Sequence, residues 1–429
     1  MRHALAAALL ATAAEIPFLI SPRPPAARFE ELCVRDFTIW GPVHVTANCD
    51  AAEYLRLANR PGLMLTPGAA VAQNRPLYSC AGWLLALPFR ALGFDALSER
   101  LIGKQVRPGS DEARYVGYAP EYAAFLLFNW LLLVAAALLL RRLLGAEGML
   151  DTCMVLPLTA LLVNEVTKAF FWTPHVQILN VLVPLLSMQL LVWIQSHAST
   201  TGWGEVAIIG ASLGVASLMY GVFAMTVSAV ALYLVLWHAP GAMRTRLPLG
   251  MTKAMLLLAT FFAPVVAWSM LVTAQAGSFF SPETARYRQF IWIADPLAQG
   301  PTVLLSELGR HLARYVATFP GVVAFPAATI AVLRIAALMH DEQTIARPPL
   351  GRAILCVAVA NVAFYGLMGY YASRLTWTIA PVLFVLIGVE IALLQRSLSE
   401  QARPRLRFTV ATVALCYAVY WYARAGPYS

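Results

Sequence analysis

The chain has 429 residues, 60% of them hydrophobic and only 12% charged, with a mean hydropathy of +0.67. This composition excludes a water-soluble globule and points to a polytopic membrane protein. The formal net charge of +9 would suggest nucleic acid in a soluble protein. Here arginine falls mainly between apolar runs, where it orients helices and meets lipid head groups, so no nucleic-acid partner is expected.

Residues 4–20 are apolar behind Arg2 and His3 and long enough to span, although Glu15 interrupts them. Ala11-Thr12-Ala13 also fits a processing site, so a cleaved signal peptide is the competing reading. On both readings the following segment is exported. Cys33, Cys49 and Cys80 fall in it, and a Cys33–Cys49 disulfide is the first expectation. Cys153, Cys356 and Cys416 sit in apolar runs as small core residues, and no spacing suggests zinc.

Further spans are expected near 120–140, 150–165, 177–195, 205–219, 222–237, 251–274, 320–340, 350–371, 375–395 and 407–423. The run 77–93 is ambiguous by hydropathy, and charge decides it. Arg396, Arg403, Arg405 and Arg407 mark one loop as cytoplasmic. Alternation puts Arg347 and Arg352, Arg244, Arg246 and Lys253, and Arg141 and Arg142 on the same side. Residues 21–119 are then external, and 77–93, broken by Pro88 between Arg75 and Arg90, reads as a helix lying in the interface. The count is about eleven crossings, with long external loops at 21–119 and 275–319 and short external turns at 166–176 and 371–374. Polar residues gathered on that side place the chemistry there.

Asp50-Ala-Ala-Glu53-Tyr54 opens a helix on which residues 50, 53 and 54 share a face, offering two acids and a phenol to one substrate. Asp-x-x-Glu before an apolar helix is equally a capping box. Asn74-Arg75-Pro76-Leu77-Tyr78 enters the next helix with proline at its first turn. Arg75 there either holds a phosphate or reaches lipid head groups, and Tyr78 is an interface aromatic or a ligand.

The order of an N-terminal span, an acidic Asp-x-x-Glu-Tyr external helix, Arg-Pro-Leu-Tyr leading an apolar helix, and a span ending in Arg141-Arg142-Leu-Leu-Gly resembles the GT-C superfamily of polyprenyl-phosphate-dependent glycosyltransferases. That superfamily includes the aminoarabinose transferases and protein O-mannosyltransferases. The resemblance covers the layout of about the first 280 residues and only short motifs. It implies that Asp50 matches the acidic residue proposed as catalytic base, and that 275–319 is a substrate loop.

Similar enzymes often carry a second acidic residue, sometimes linked to a metal, in the next external turn. Here Glu165 precedes that turn, while His175 and Gln177 stand at the position itself, a departure that puts a metal-dependent mechanism in doubt. No cofactor is therefore expected. Lys168 is the expected neutraliser of a donor phosphate, unless the turn with Phe170, Phe171 and Trp172 is a plain interface anchor. Arg374, in Tyr370-Tyr371-Ala-Ser-Arg374, lies outside against the positive-inside trend and needs a phosphate partner, from donor or lipid. In 275–319, Arg286 and Arg288 are further candidates for donor phosphate, and SELGRHLARYVATF has the spacing of a surface helix. Tyr220-Gly221 reads as a plain tight turn.

The expectation is an all-α integral membrane protein with a GT-C-like bundle of about eleven spans and juxtamembrane helices in the first external loop. Residues 1–280 form the catalytic module, 281–319 the external substrate loop and 320–429 the C-terminal spans. The expected site has Asp50 and Glu53 as catalytic acids, and Tyr54, Arg75, Tyr78, Lys168, His175, Gln177, Arg374, Arg286 and Arg288 binding substrate. The partners would be a polyprenyl-phosphate-linked sugar, a lipid, glycan or protein acceptor, and membrane lipids, in a bacterial inner membrane with the N-terminus cytoplasmic. A polysaccharide polymerase or ligase, and a lipid-linked sugar flippase or other transporter, are the alternatives.

Overall fold

The structure, a computed structural model, describes all residues except 24, 32, 70, 102–116, 198–200, 238–242, 340–347 and 425–429. Arg347 therefore lies outside the described residues, as do the side chains of Arg244, Arg246 and Arg286.

In chain order the elements are α1 (Arg2–Glu15), β1 (Val34–Trp40), β2 (Val43–Asn48), α2 (Ala51–Asn59), α3 (Pro76–Ala91), α4 (Phe94–Leu101), α5 (Ala119–Leu144), α6 (Thr152–Leu162) and α7 (Glu165–Phe170). There follow α8 (Leu179–Ser196), α9 (Trp203–Ser217), α10 (Phe223–Trp237), α11 (Met243–Ala276), α12 (Pro282–Tyr287), α13 (Ala294–Gln299) and α14 (Pro301–Val316). The chain closes with α15 (Pro320–Leu338), α16 (Pro348–Met368), α17 (Ser373–Thr376), α18 (Ala380–Ser397) and α19 (Arg403–Ala423). It is a multi-pass helical membrane protein. Among the described residues nine helices are long and apolar enough to cross a bilayer, or ten if α3 and Phe94–Arg100, bent by 72°, form one broken span.

Hydrogen bonds at helix ends sort the bundle into two ends. At one, Trp172 Nε1 donates to Glu15 O, Tyr122 Oη to Trp172 O, Asn180 Nδ2 to Arg374 O, Leu77 N to Leu218 O and Phe290 N to Met368 O. At the other, Gln195 Nε2 donates to Pro349 O, Lys253 Nζ to Thr201 O and Arg403 Nε to Gln395 O. We term these the upper and lower ends. One continuous hydrophobic core runs from Ala7 to Trp421, while Leu9, Met255, Val332 and Phe408 stand exposed on the outer helices, as lipid contact requires.

Three features differ from the sequence expectation. First, α9 and α10 have only 15 residues each, about 22 Å of helix against a hydrocarbon core of about 30 Å. Here Gly210 and Gly214 let α9 lie on the backbone of α11, where a Cβ would collide with the carbonyl oxygens of Leu257 and Phe261. Second, the expected span 150–165 breaks at Asn164, whose side chain accepts from the backbone N–H of Val166 and Thr167 and so starts α7. The segment expected as an external turn from 166 is thus helical and buried to Phe170. Third, the expected all-α chain carries an antiparallel hairpin, β1 paired with β2 from Val34↔Asn48 to Trp40↔Val43 with a bulge between Thr38 and Trp40.

The hairpin turns at Gly41, φ +52°, and the expected Cys33–Cys49 disulfide closes its base. His44 clamps it inward, with Nδ1 2.7 Å from Asp36 Oδ1 and Nε2 2.8 Å from Ser21 O. The apolar–polar alternation of β2, VHVTAN, is the sequence signal that marks it.

Helix α3 stays at the upper end. Its start is bonded to Leu218, Tyr78 stacks on Phe125 at 4.8 Å and meets Phe128 at 5.9 Å, and Arg90 Nε donates to Glu121 at 3.1 Å. Twelve residues of α3, about 18 Å, therefore meet only seven residues of α5, about 10 Å. The helix crosses α5 obliquely, and both of its ends lie at the upper end of the bundle.

Candidate functional site

The upper end gathers Asp50, Tyr54, Arg75, His175, Tyr220 and Arg374. Asp50 sits where β2 passes into α2, a position fixed twice: the disulfide ties Cys49, and Asn48 Oδ1 accepts the Asp50 N–H at 2.9 Å. Asn48 N in turn donates to Thr173 Oγ1 at 3.1 Å, joining the hairpin to the turn that carries His175. Asp50 is the residue before α2, yet its carboxylate makes no capping bond. The capping-box alternative is thus not realised, and the side chain stays 63% exposed, open to a ligand.

His175 is buried and faces Asp50, Nε2 to Oδ2 3.6 Å. Its Nδ1 accepts the Gln177 N–H at 3.2 Å, which assigns the ring proton to Nε2, on the side of Asp50. The ring stacks on Phe170 at 4.5 Å and meets the edge of Tyr54 at 5.8 Å. Burial holds its pKa down to about 4; Asp50 opposes the shift, and Arg374 and Arg75 add to it. The imidazole is neutral at pH 7. The facing imidazole, outweighing burial and helped by Arg374 and Arg75, holds the Asp50 carboxyl below its ordinary range.

Two arginines frame the carboxylate. Arg75 precedes α3, donates through Nη1 to Tyr54 Oη, and lies 5.5 Å from the centre of the Tyr220 ring. Tyr220, read from sequence as a plain turn residue, is therefore part of the site. Its only sequence signal is the 15-residue length of the two helices that meet there. Arg374 opens α17; its Nη2 donates to Tyr370 Oη at 3.3 Å, Tyr370 stacks on Tyr287 at 4.3 Å, and its Nε is buried without a partner among the described residues. Arg374 forms no ion pair among the described residues. It is aimed by Glu165, which accepts from Ser373 Oγ at 2.8 Å and Trp377 Nε1 at 2.7 Å. Asn129, deep in α5, supports the same region through Nδ2 to the open carbonyls of Phe170, Phe171 and Thr173.

The remaining expected site residues do other work. Glu53 accepts the Ala72 N–H through Oε1 at 2.7 Å and tethers the link into α3. Tyr78 is fully buried between Tyr54 and Phe125 and supports the wall of the site instead of touching substrate. Lys168 points away from Asp50. Its amine donates to Trp421 O at 2.8 Å and to Arg424 O, closing the open carbonyls at the end of α19, so it is a structural cap and not a phosphate ligand. Gln177 is buried, its Oε1 without a partner among the described residues. Arg288 pairs with Asp295 at 2.9 Å on the surface. Helix α14 has the expected amphipathic exposure, with Leu305 and Leu312 outward. Between α15 and α18, Arg334 faces Glu390 at 3.7 Å. Among the described residues no group of three His, Cys, Asp or Glu side chains stands close enough to hold a metal ion.

An exposed carboxylate beside a neutral imidazole, flanked by two guanidinium groups, can take a proton from a hydroxyl while a phosphate rests on the arginines. Comparison with protein-family models, curated proteins and solved structures returns no match for this chain. The arrangement defines a multi-pass membrane protein with a cluster of charged and aromatic side chains at one end of its bundle.

Proposed function

We propose that the chain is a membrane glycosyltransferase of the GT-C type, moving a sugar from a polyprenyl-phosphate donor to an acceptor hydroxyl. In this reading the chain crosses a bacterial inner membrane about eleven times, with the N-terminus cytoplasmic and the upper end external. The acceptor oxygen attacks the anomeric carbon, its proton passes to Asp50, and the bond to the phosphate oxygen breaks with inversion. Arg374 and Arg75 take the charge that grows on the leaving phosphate.

The observation that carries the reading is the carboxylate of Asp50, which begins a helix without capping it and instead faces His175 in the field of two arginines. The bond from His175, with a smaller contribution from the two arginines, makes free Asp50 a weak base. A phosphate seated on the arginines cancels their part, so the carboxylate gains proton affinity when donor is bound.

The test is transfer from a prenyl-phosphate sugar by detergent-purified protein. Asp50→Asn is expected to lose about 10²–10⁴-fold in kcat with an unchanged melting temperature. Wild-type transfer by that variant would overturn the assignment.

A further inference from the structure

The lower end holds a second polar hollow, remote from Asp50. A cavity of about 740 Å³ opens between the link from α5 to α6 and the link from α18 to α19. Arg396, Arg403 and Arg407 line it, opposite Glu147 and Asp151. None of these five forms an ion pair among the described residues. Asp151 spends one carboxylate oxygen on Gly148 N at 2.9 Å and makes no capping bond to α6, which it precedes, so the opening turn of α6, Thr152 and Cys153, faces the cavity without a side-chain cap. Arg403 is held by Gln395 O at 3.2 Å. Leu144, Val155, Ala392 and Ala411 give the rest of the lining an apolar wall.

Arg403 is half-buried in the cavity, and Arg396 and Arg407 stand exposed at its edge. Three guanidinium groups around one hollow beside an uncapped helix start have the chemistry of a phosphate site. The apolar wall suits a chain attached to that phosphate. We propose that this cavity binds a phosphate group, carried by an anionic amphiphile whose apolar chain runs along Leu144 and Ala392, independently of the chemistry at the upper end.

The experiment measures binding of dioctanoyl phosphatidic acid to the full chain in neutral detergent, with inorganic phosphate as competitor. Arg396→Ala/Arg403→Ala/Arg407→Ala is expected to weaken binding at least tenfold. Arg405→Ala, on the same helix but outside the cavity lining, is expected to bind as wild type. Arg407→Ala alone, at an exposed position that leaves folding intact, is expected to weaken binding about threefold. Ala392→Phe, which fills the apolar wall, is expected to weaken the lipid and leave inorganic phosphate unaffected. Competition by millimolar inorganic phosphate, lost in the triple variant, would assign the phosphate to a soluble source. Lipid binding without competition would assign it to a head group. Equal binding by wild type, the triple variant and Arg407→Ala, or an equal loss in Arg405→Ala, would overturn the site.

Discussion

Two kinds of carboxylate stand at the upper end of this bundle. Glu121 is buried and engaged through one oxygen: Arg90 and Asn59 both donate to Oε1, joining α2 and α3 to α5, while Oε2 has no partner among the described residues. Glu165 is divided between Ser373 and Trp377. Asp50 is the opposite case, anchored through its backbone by Asn48 and the disulfide while its carboxylate stays exposed. Buried carboxylates that accept from neighbouring elements hold those elements together, because removing a donor strands a charge. A carboxylate fixed by its backbone alone keeps its side chain for a ligand. The same contrast separates Lys168, committed to two carbonyls, from Arg374, whose Nε has none.

This contrast breaks most sharply at Arg374. Arg374→Ala is expected to reduce kcat/KM for sugar transfer by about 10²–10³-fold, with Arg374→Lys recovering only a small part because an ammonium cannot grip phosphate in two places. Steady-state kinetics on both variants measures it, and equal losses would remove the bidentate role. Next is the pH dependence of stability. Burial depresses the His175 pKa from 6.5 to about 4, so the unfolded chain binds a proton that the folded chain refuses. The stability involved is fully present above pH 6.5 and falls away toward pH 4, by roughly 3 kcal/mol. Melting curves across that window are expected to flatten in His175→Gln.

Lys168→Met comes third. Leaving the Trp421 and Arg424 carbonyls open is expected to cost about 1–3 kcal/mol and lower the melting temperature, while kcat stays unchanged. A collapse of kcat at unaltered stability would return Lys168 to the site. The smallest effect is expected for Glu53→Gln, which keeps an acceptor for Ala72 N–H. A loss under about 1 kcal/mol with normal transfer is the outcome of a tether, whereas a kinetic loss like that of Asp50→Asn would make Glu53 catalytic.

The sequence by itself determined the apolar helices, the basic loops, the Cys33–Cys49 pair and the placement of α3 at one end, because hydropathy and arginine position act locally along the chain. It also singled out Asp50, Arg75, His175 and Arg374. It did not determine that Glu53 and Lys168 are spent on Ala72 and on the end of α19, since those partners lie 19 and more than 250 residues away. Only the tertiary structure decided that Tyr220 lies beneath Arg75 and that Asn129 supports the turn of His175. Both follow from packing between segments far apart in the chain, which the pattern within either segment does not encode.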